Sequence, residues 1–235
     1  MNKKNYLLSL TAIMIAVMLS VSFISCGGDD GNDGGTGHKD NNRQLNGHEW
    51  VDLGLPSGTL WATCNIGASS PEDYGGYFAW GETTSKDYYS WSTYKYCEGT
   101  SNTLTKYNNK SYYGIVDDKT ELEDADDAAT VNWGSGWQMP SRGQCEELRN
   151  SSNTTSEWTS LNGVYGRKIT SKTNGNSIFL PAAGERYDDT YHAFQEYGYY
   201  RSRTVSYSIK FRNRDEGWYG GEREYGQSVR PVIKK

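Results

Sequence analysis

The stretch GRKITSKTNGNSIFLPA, residues 166–182, constrains the fold of this chain more than any other. Polar and apolar residues alternate on both sides of the Asn-Gly pair at 174–175, and Asn-Gly between alternating runs is the strongest short-range hairpin signal. Two more alternating runs, residues 49–53 and 59–66, flank a Leu-Pro-Ser-Gly turn sequence at 55–58. The sequence therefore predicts short antiparallel strands joined by tight turns.

Two short helices are expected among these strands. Residues 124–131 carry acids that would complement the amide dipoles of a helix start. Ser141 and Gln144 form a capping-box pattern that predicts a second helix, with Cys145 and Leu148 on one face. Residues 91–114 show no period and are expected to form a long surface loop. Further strands are predicted at residues 75–83, 199–203, 206–213 and 227–233. The expected fold class is α+β, with an irregular, mostly antiparallel sheet, two short helices and long loops in one domain, residues 47–235.

Aromatic residues would supply much of the core. The chain has only 35% hydrophobic residues but contains 19 Tyr and 8 Trp. Tyrosine and tryptophan rings have polar tips, so those that remain partly exposed can contact a ligand.

The N-terminus has the pattern of an export signal. Lys3 and Lys4 precede an apolar run at residues 12–19, which is too short to span a membrane. The sequence FISC, ending at Cys26, resembles the lipobox of bacterial lipoproteins. We expect residues 1–25 to be a signal peptide, Cys26 to carry the lipid, and the Gly/Asp/Asn-rich residues 26–46 to form a flexible tether. The alternative is an ordinary signal peptide whose Cys26 joins a disulfide.

The charge balance excludes one class of partner. The net charge is −5, and loss of the signal peptide with its two lysines leaves 22 Lys and Arg against 29 Asp and Glu. Nucleic-acid binding depends on neutralising phosphates, so no nucleic-acid partner is expected.

Several segments together resemble a known family. HEWVDLGLPSGTLWATCNIG, DDAATVNWGSGWQMPS, KITSKTNGNSIFLPAAG and GQSVRPV look like the Fibrobacter succinogenes major paralogous domain, over residues 48–232. The resemblance implies a C-type-lectin-like fold in which the first and last strands, near Val51 and Val229, lie close together. It also implies an exported lipoprotein without an assigned activity. We expect the lipid to anchor the protein to the bacterial outer membrane, with the domain at the cell surface, while the sequence leaves the membrane leaflet open.

Cys145 decides between an enzyme and a binding module. GWQMPS also resembles the G-W-R-L-P-T segment of formylglycine-generating-enzyme-like domains, but those enzymes use a cysteine pair late in the domain, and no cysteine follows Cys145. A catalytic thiol would also need a nearby histidine. We therefore expect Cys145 to be a buried core residue and the protein not to be an enzyme. Whether Cys64, Cys97 and Cys145 form a disulfide stays open.

Two groups of residues are candidate ligand contacts. Trp91, Tyr94 and Tyr96 could stack on sugar rings, the alternative being that they fill the core beneath the long loop. Arg212 and Arg214, with Lys210, would give a strand one basic face that could grip an acidic polysaccharide. The alternative there is a solvated or internally salt-bridged strand.

The acidic residues between Asp117 and Asp127 could coordinate Ca²⁺, but they lack EF-hand spacing, and a solvated helix start is the preferred interpretation. No cofactor, metal or catalytic residue is assigned. The sequence thus predicts a non-catalytic extracellular domain that binds a glycan, with protein-protein adhesion or assembly as the alternative.

Overall fold

A computed structural model describes residues 43–233 of the chain. The expected signal peptide, Cys26 and most of the expected tether lie outside these residues. The strands are β1 (Gln44–Leu45), β2 (His48–Asp52), β3 (Leu60–Ala62), β4 (Trp137–Gln138), β5 (Thr154–Leu161), β6 (Val164–Ser171), β7 (Ser177–Pro181), β8 (Glu185–Tyr187), β9 (Thr190–His192), β10 (Tyr197–Arg201), β11 (Ser208–Arg212), β12 (Glu216–Tyr219) and β13 (Val232–Ile233). The helices are α1 (Ala128–Trp133) and α2 (Arg142–Arg149).

One sheet joins the two ends of the described chain. Its strand order is β1-β2-β3-β13-β4, so the last strand lies between the third and fourth. Val51 pairs with Trp61, which in turn pairs with Val232. The predicted strands near residues 49–53 and 59–66 are confirmed, although the second is shorter than expected. The turn between them closes where Gly58 N donates to Leu55 O at 2.7 Å.

The remaining strands form smaller antiparallel sheets. β5, β6 and β7 form one three-stranded sheet, β10, β11 and β12 a second, and β8 with β9 a two-stranded ribbon. The predicted hairpin around residues 174–175 is the β6–β7 connection. The fold is therefore α+β and mostly antiparallel, with two α-helices in the described part, as the sequence predicts.

Two predictions about individual segments are wrong, one for an expected strand and one for the end of the tether. The expected strand at residues 75–83 has only an isolated bridge from Phe78 to Gln227. Residues 77–80 are all buried, and a segment that buries consecutive side chains cannot present the exposed face of an amphipathic strand. The tether does not reach residue 46 either, because β1 pairs with β2 and the Asn46 side chain donates to Trp133 O at 2.9 Å.

Side-chain caps fix both helices. Ser141 and Gln144 form the predicted capping box of α2. Asp127 caps α1 by accepting from Ala129 N at 3.0 Å and Thr130 N at 3.1 Å. Its two carboxylate oxygens also accept from Met139 N at 3.0 Å, which ties the start of α1 to the segment that leads into α2. An N-cap of this kind stabilises a helix by about 1 kcal/mol.

The core is rich in aromatic residues, as expected. A first cluster surrounds the long loop and includes Tyr77, Phe78, Trp80, Tyr89, Tyr94, Tyr96, Tyr107, Trp133 and Trp137. A second cluster lies beneath α2 and the smaller sheets and includes Leu53, Trp61, Cys145, Leu148, Ile169, Leu180, Tyr200 and Phe211.

Arg230 connects the segments around these clusters. Its side chain is 1% exposed. Its guanidinium donates to Asn65 Oδ1 at 2.9 Å, to the carbonyls of Ala62 and Thr63 at 3.2 and 2.6 Å, and to Phe179 O at 2.9 Å. Burial lowers the pKa of Arg230. One side chain thereby holds the end of β3, the following turn and β7 at fixed positions.

Replacing Arg230 with methionine should strongly destabilise the protein. The buried acceptors on Asn65, Ala62 and Phe179 would lose this donor, and each buried group left unpaired costs about 1–3 kcal/mol. We expect the free energy of unfolding in urea to fall by about 3 kcal/mol or more. Arg214→Met, at an exposed arginine, should change it by less than about 0.5 kcal/mol. Equal urea midpoints for the two variants would contradict this role of Arg230.

Candidate functional site

β11 carries the basic face that the sequence predicts. Ile209 and Phe211 are buried, while Lys210 and Arg212 lie on the opposite face of the strand. On the neighbouring strand, Tyr199 lies directly opposite Lys210 and Tyr197 directly opposite Arg212. Directly opposed residues of an antiparallel pair share one face, so cations and tyrosine rings are interleaved there.

Lys210 lies within a group of three tyrosine rings. Its Nζ is 4.9 Å from the ring centre of Tyr197, 5.5 Å from that of Tyr199 and 5.1 Å from that of Tyr219. These distances are within the range of a cation–π contact. Lys210 thus organises the rings rather than projecting its charge into solvent.

Arg212 is partly neutralised within the protein. Its Nε and Nη2 donate to the carboxylate of Asp215 at 2.8 and 2.7 Å, and its Nη1 donates to Tyr197 Oη at 2.8 Å. The hydrogen bonds from Arg212 lower the pKa of Asp215. The alternative of an internally salt-bridged strand is therefore correct for Arg212.

Arg214 differs from Arg212. It lies just beyond the end of β11, is exposed, and makes no hydrogen bond or ion pair with any other residue in the 43–233 range. Its guanidinium is available to an external anion.

Arg212 and Arg214 line one cleft together with aromatic residues from three other strands. This arginine cleft has a volume of about 470 Å³. Its lining residues are Trp158, Tyr165, Gln195, Glu196, Tyr197, Arg212, Asn213 and Arg214. The structure thus places the two predicted arginines beside ring faces and amide groups, both of which suit recognition of a sugar.

The register of the β5–β6 hairpin places two of these rings side by side. Trp158 lies opposite Arg167, and Tyr165 lies opposite Ser160, two residues further along β5. Both aromatic residues therefore project from the same face of the hairpin. Their ring centres are 6.1 Å apart and their planes differ by 9°. Tyr165 is 50% exposed, so part of this surface is open to a ligand.

Sequence reasoning missed Trp158, Tyr165 and Tyr197. The alternation in residues 154–161 is weak because serine and threonine occupy most positions, so β5 was not predicted. The pair of rings follows only from the register of two strands.

Tyr94 and Tyr96 are wrongly predicted as ligand contacts. They are 3% and 7% exposed. Tyr94 Oη donates to Trp80 O at 2.8 Å, and the ring centre of Tyr96 lies 5.5 Å from that of Tyr107. The stretch 91–114 is therefore not only a surface loop, because the side chains of Tyr94, Tyr96 and Tyr107 are buried in the core. Trp91 is half-buried and lines a different cleft.

The acidic residues between Asp117 and Asp127 bind protein donors. Asp117 accepts from the backbone amides of Tyr107 and Asn108, both at 2.9 Å. Asp126 accepts from Lys106 Nζ at 2.6 Å and Tyr107 Oη at 2.7 Å. Burial opposes the ionisation of Asp126, but these hydrogen bonds outweigh it and lower its pKa.

The helix start is therefore not solvated as expected, because Asp126 and Asp127 are buried. Burial raises the pKa of Asp127. Among residues 43–233, no group of three or more His, Cys, Asp or Glu side chains is arranged to hold a metal ion.

The cysteines resemble core residues rather than nucleophiles. Cys145 is fully buried beside Leu148 on α2, as predicted, and burial raises the pKa of its thiol. Cys64 and Cys97 are half-buried, and none of the three described cysteines is in a disulfide. Cys97 Sγ contacts Trp91 O at 3.0 Å.

Comparison with known proteins found no matching family model, no matching curated protein and no matching solved structure. Within the described residues, no helix has the length and apolar character needed to cross a membrane.

Cys145 should react slowly with a thiol reagent in the native state. A thiol whose pKa is raised by burial has little thiolate to attack the reagent. We expect Cys64 and Cys97 to be labelled first, as followed by mass spectrometry of peptides, and Cys145 only after urea is added. Cys145→Ala should lower the free energy of unfolding by about 1 kcal/mol through a small cavity. Rapid native labelling of Cys145 would show that the thiol is accessible.

Proposed function

We propose that this chain is an exported bacterial lipoprotein whose domain binds an acidic extracellular glycan without catalysing a reaction. The lipid at Cys26 anchors it to the outer membrane, with the domain at the cell surface. The domain belongs to the Fibrobacter succinogenes major paralogous domain type and has a C-type-lectin-like fold.

The arginine cleft is the observation that carries this proposal. The near-parallel rings of Trp158 and Tyr165 offer flat apolar area for the face of a sugar ring. Arg214 supplies a positive charge that no described residue neutralises, and Asn213 and Gln195 supply amide groups for hydroxyls. A carboxylate or sulfate on the sugar would contact Arg214, because guanidinium groups bind such oxygens with paired donors.

Two features support the fold and the absence of catalysis. The terminal strands share one sheet, an arrangement that the family resemblance implies. The lining of the arginine cleft contains one carboxylate, Glu196, whereas glycoside hydrolysis generally uses a pair of carboxyl groups.

Protein-protein adhesion is the second candidate. Four apolar side chains near the end of the long loop are exposed, namely Tyr112 at 66%, Tyr113 at 41%, Ile115 at 62% and Val116 at 45%. The rings of Tyr112 and Tyr113 are 4.2 Å apart. Grouped exposed apolar residues are typical of surfaces that bind proteins.

Binding of acidic glycans should depend on Arg214 and Tyr165. On a glycan array probed with the full-length chain in detergent, we expect carboxylated or sulfated glycans to be retained and the signal to fall as salt rises. Arg214→Glu and Tyr165→Ala should each weaken binding about tenfold or more, because each removes a central contact. Lys110→Glu, an exposed lysine outside the cleft, makes the same change in charge and should have little effect.

Retention of the same glycans by all three variants would place the site elsewhere. A lack of binding to any glycan on the array would favour protein adhesion, and Ile115→Asp would then be the variant to compare in adhesion assays.

Anchoring should require Cys26. Because an apolar run ends at this cysteine and a Gly/Asp-rich stretch follows, Cys26→Ala should release the protein from membranes or block its maturation. Cell fractionation with salt and carbonate washes measures this. An alanine variant that stays in the membrane fraction would contradict lipid attachment.

A further inference from the structure

A second cleft lies on the side of Trp91 and has the opposite charge. This Trp91 cleft has a volume of about 570 Å³. Tyrosines 88, 187 and 225, Trp91 and three serines line it, together with the carboxylates of Glu222 and Glu224. Its described lining contains no lysine or arginine.

Glu224 is the unusual residue of this cleft. It is 3% exposed, and its Oε2 has no hydrogen-bond partner among the described residues. A buried carboxylate without a donor is costly, so such oxygens are normally paired. A donor from a bound ligand would supply the missing partner.

The backbone around Glu224 is held from behind. Arg201 is 1% exposed, and its Nη2 donates to Glu222 O at 2.6 Å and to Tyr225 O at 2.7 Å. The residues on both sides of Glu224 are therefore fixed to β10. Glu224 is thus restrained from moving into solvent and remains at the floor of the cleft.

The aromatic rings make the cleft suitable for a cation. Tyr187 and Tyr225 have ring centres 4.9 Å apart and planes inclined by 51°, so they form a corner. Tyr88 is 46% and Tyr187 39% exposed. The electron-rich faces of such rings attract alkylammonium groups, and carboxylates add the matching negative charge.

We propose that the Trp91 cleft binds an alkylammonium group, which donates to Glu224, is attracted by Glu222 and contacts the rings of Tyr187 and Tyr225. The group can belong to a lysine side chain of a protein or to an amino sugar. This site is separate from the arginine cleft and does not rest on acidic-glycan binding.

The charge of Glu224 should make this binding depend on pH. The charged or titratable groups that act on Glu224 and its cleft are Glu222, Arg201, Lys86, Cys97, Tyr187, Tyr219 and Tyr225, together with Asp188, which hydrogen-bonds to Tyr88, and His192, whose ring centre lies 5.6 Å from that of Tyr187. Burial raises the pKa of Glu224 to about 7. The carboxylate therefore changes from about one-tenth ionised at pH 6 to about nine-tenths at pH 8, while an alkylammonium probe stays charged.

The test is a titration of the full-length chain with n-butylammonium, followed by saturation-transfer NMR of the probe. We expect binding at pH 8 that weakens severalfold at pH 6, and no comparable binding of n-butanol, the neutral analogue. Glu224→Gln should weaken binding at least tenfold at pH 8 and remove the pH dependence. Glu222→Gln, at an exposed position, should weaken the binding of n-butylammonium less than Glu224→Gln does. Tyr187→Leu should also weaken this binding, because it removes one of the two contacting rings.

Folding is checked independently of binding. A carboxyl whose folded pKa is raised contributes less stability above that pKa than below it, so Glu224→Gln should keep or raise the Tm at pH 8. Lys110→Glu is the control with an intact cleft and should bind n-butylammonium like the parent chain.

Two competitors distinguish the source of the cation. Displacement of n-butylammonium by Nα-acetyl-lysine methylamide indicates a lysine side chain, and displacement by glucosamine indicates an amino sugar. Either result supports the proposal. Equal binding of n-butylammonium and n-butanol, unchanged binding by a folded Glu224→Gln variant, or a lack of displacement by both competitors would overturn it.

Discussion

The arrangement of the sheets depends on the hydrogen bonds of one buried group, the guanidinium of Arg230. Its guanidinium donates only to neutral oxygens. These are Asn65 Oδ1, the carbonyls at the end of β3 and just after it, and one carbonyl of β7. Arginine can play this part because its planar fork keeps its charge and directs several donors at once. The segments it joins contribute residues to both core clusters. Arg201 repeats the arrangement on β10, where it binds carbonyls of the 222–225 turn. Two buried arginines thus hold loop segments to strands through neutral oxygens instead of carboxylates.

The sequence predicts the elements whose signals are local. The Asn-Gly hairpin, the capping box of α2 and the burial of Cys145 each depend on a few neighbouring residues, and all are found. Predictions failed where tertiary contacts decide the outcome. Tyr94 and Tyr96 lie in a polar, aperiodic stretch that suggests exposure, yet both rings are buried in the core. Of the candidate site, the arginines could be predicted from the alternation in β11. The partner rings Trp158 and Tyr165 could not, because they meet only through the register of β5 with β6.

The two clefts show how a modest net charge conceals a local separation of sign. The arginine cleft has Arg214 exposed beside one carboxylate, and the Trp91 cleft has two carboxylates and no described cation in its lining. Each combines its charge with tyrosine or tryptophan faces. The composition explains why both clefts contain aromatic rings. A chain with few aliphatic residues uses tyrosine and tryptophan both in its core and on its surface. At physiological ionic strength the Debye length is about 8 Å, so each cleft acts on charged groups in its own neighbourhood only.

The position of β13 has a consequence for biosynthesis. Val232 and Ile233 form the strand that joins β4 to β3, so β4 has no partner in the sheet until those residues have been translated. Arg230 belongs to the same late segment. A nascent chain therefore lacks both the strand that joins β4 to the sheet and the arginine that binds β3 and β7, and the sheet cannot be completed until these residues have left the ribosome. Stop codons even a few residues upstream of Arg230 would yield a product unable to close its sheet.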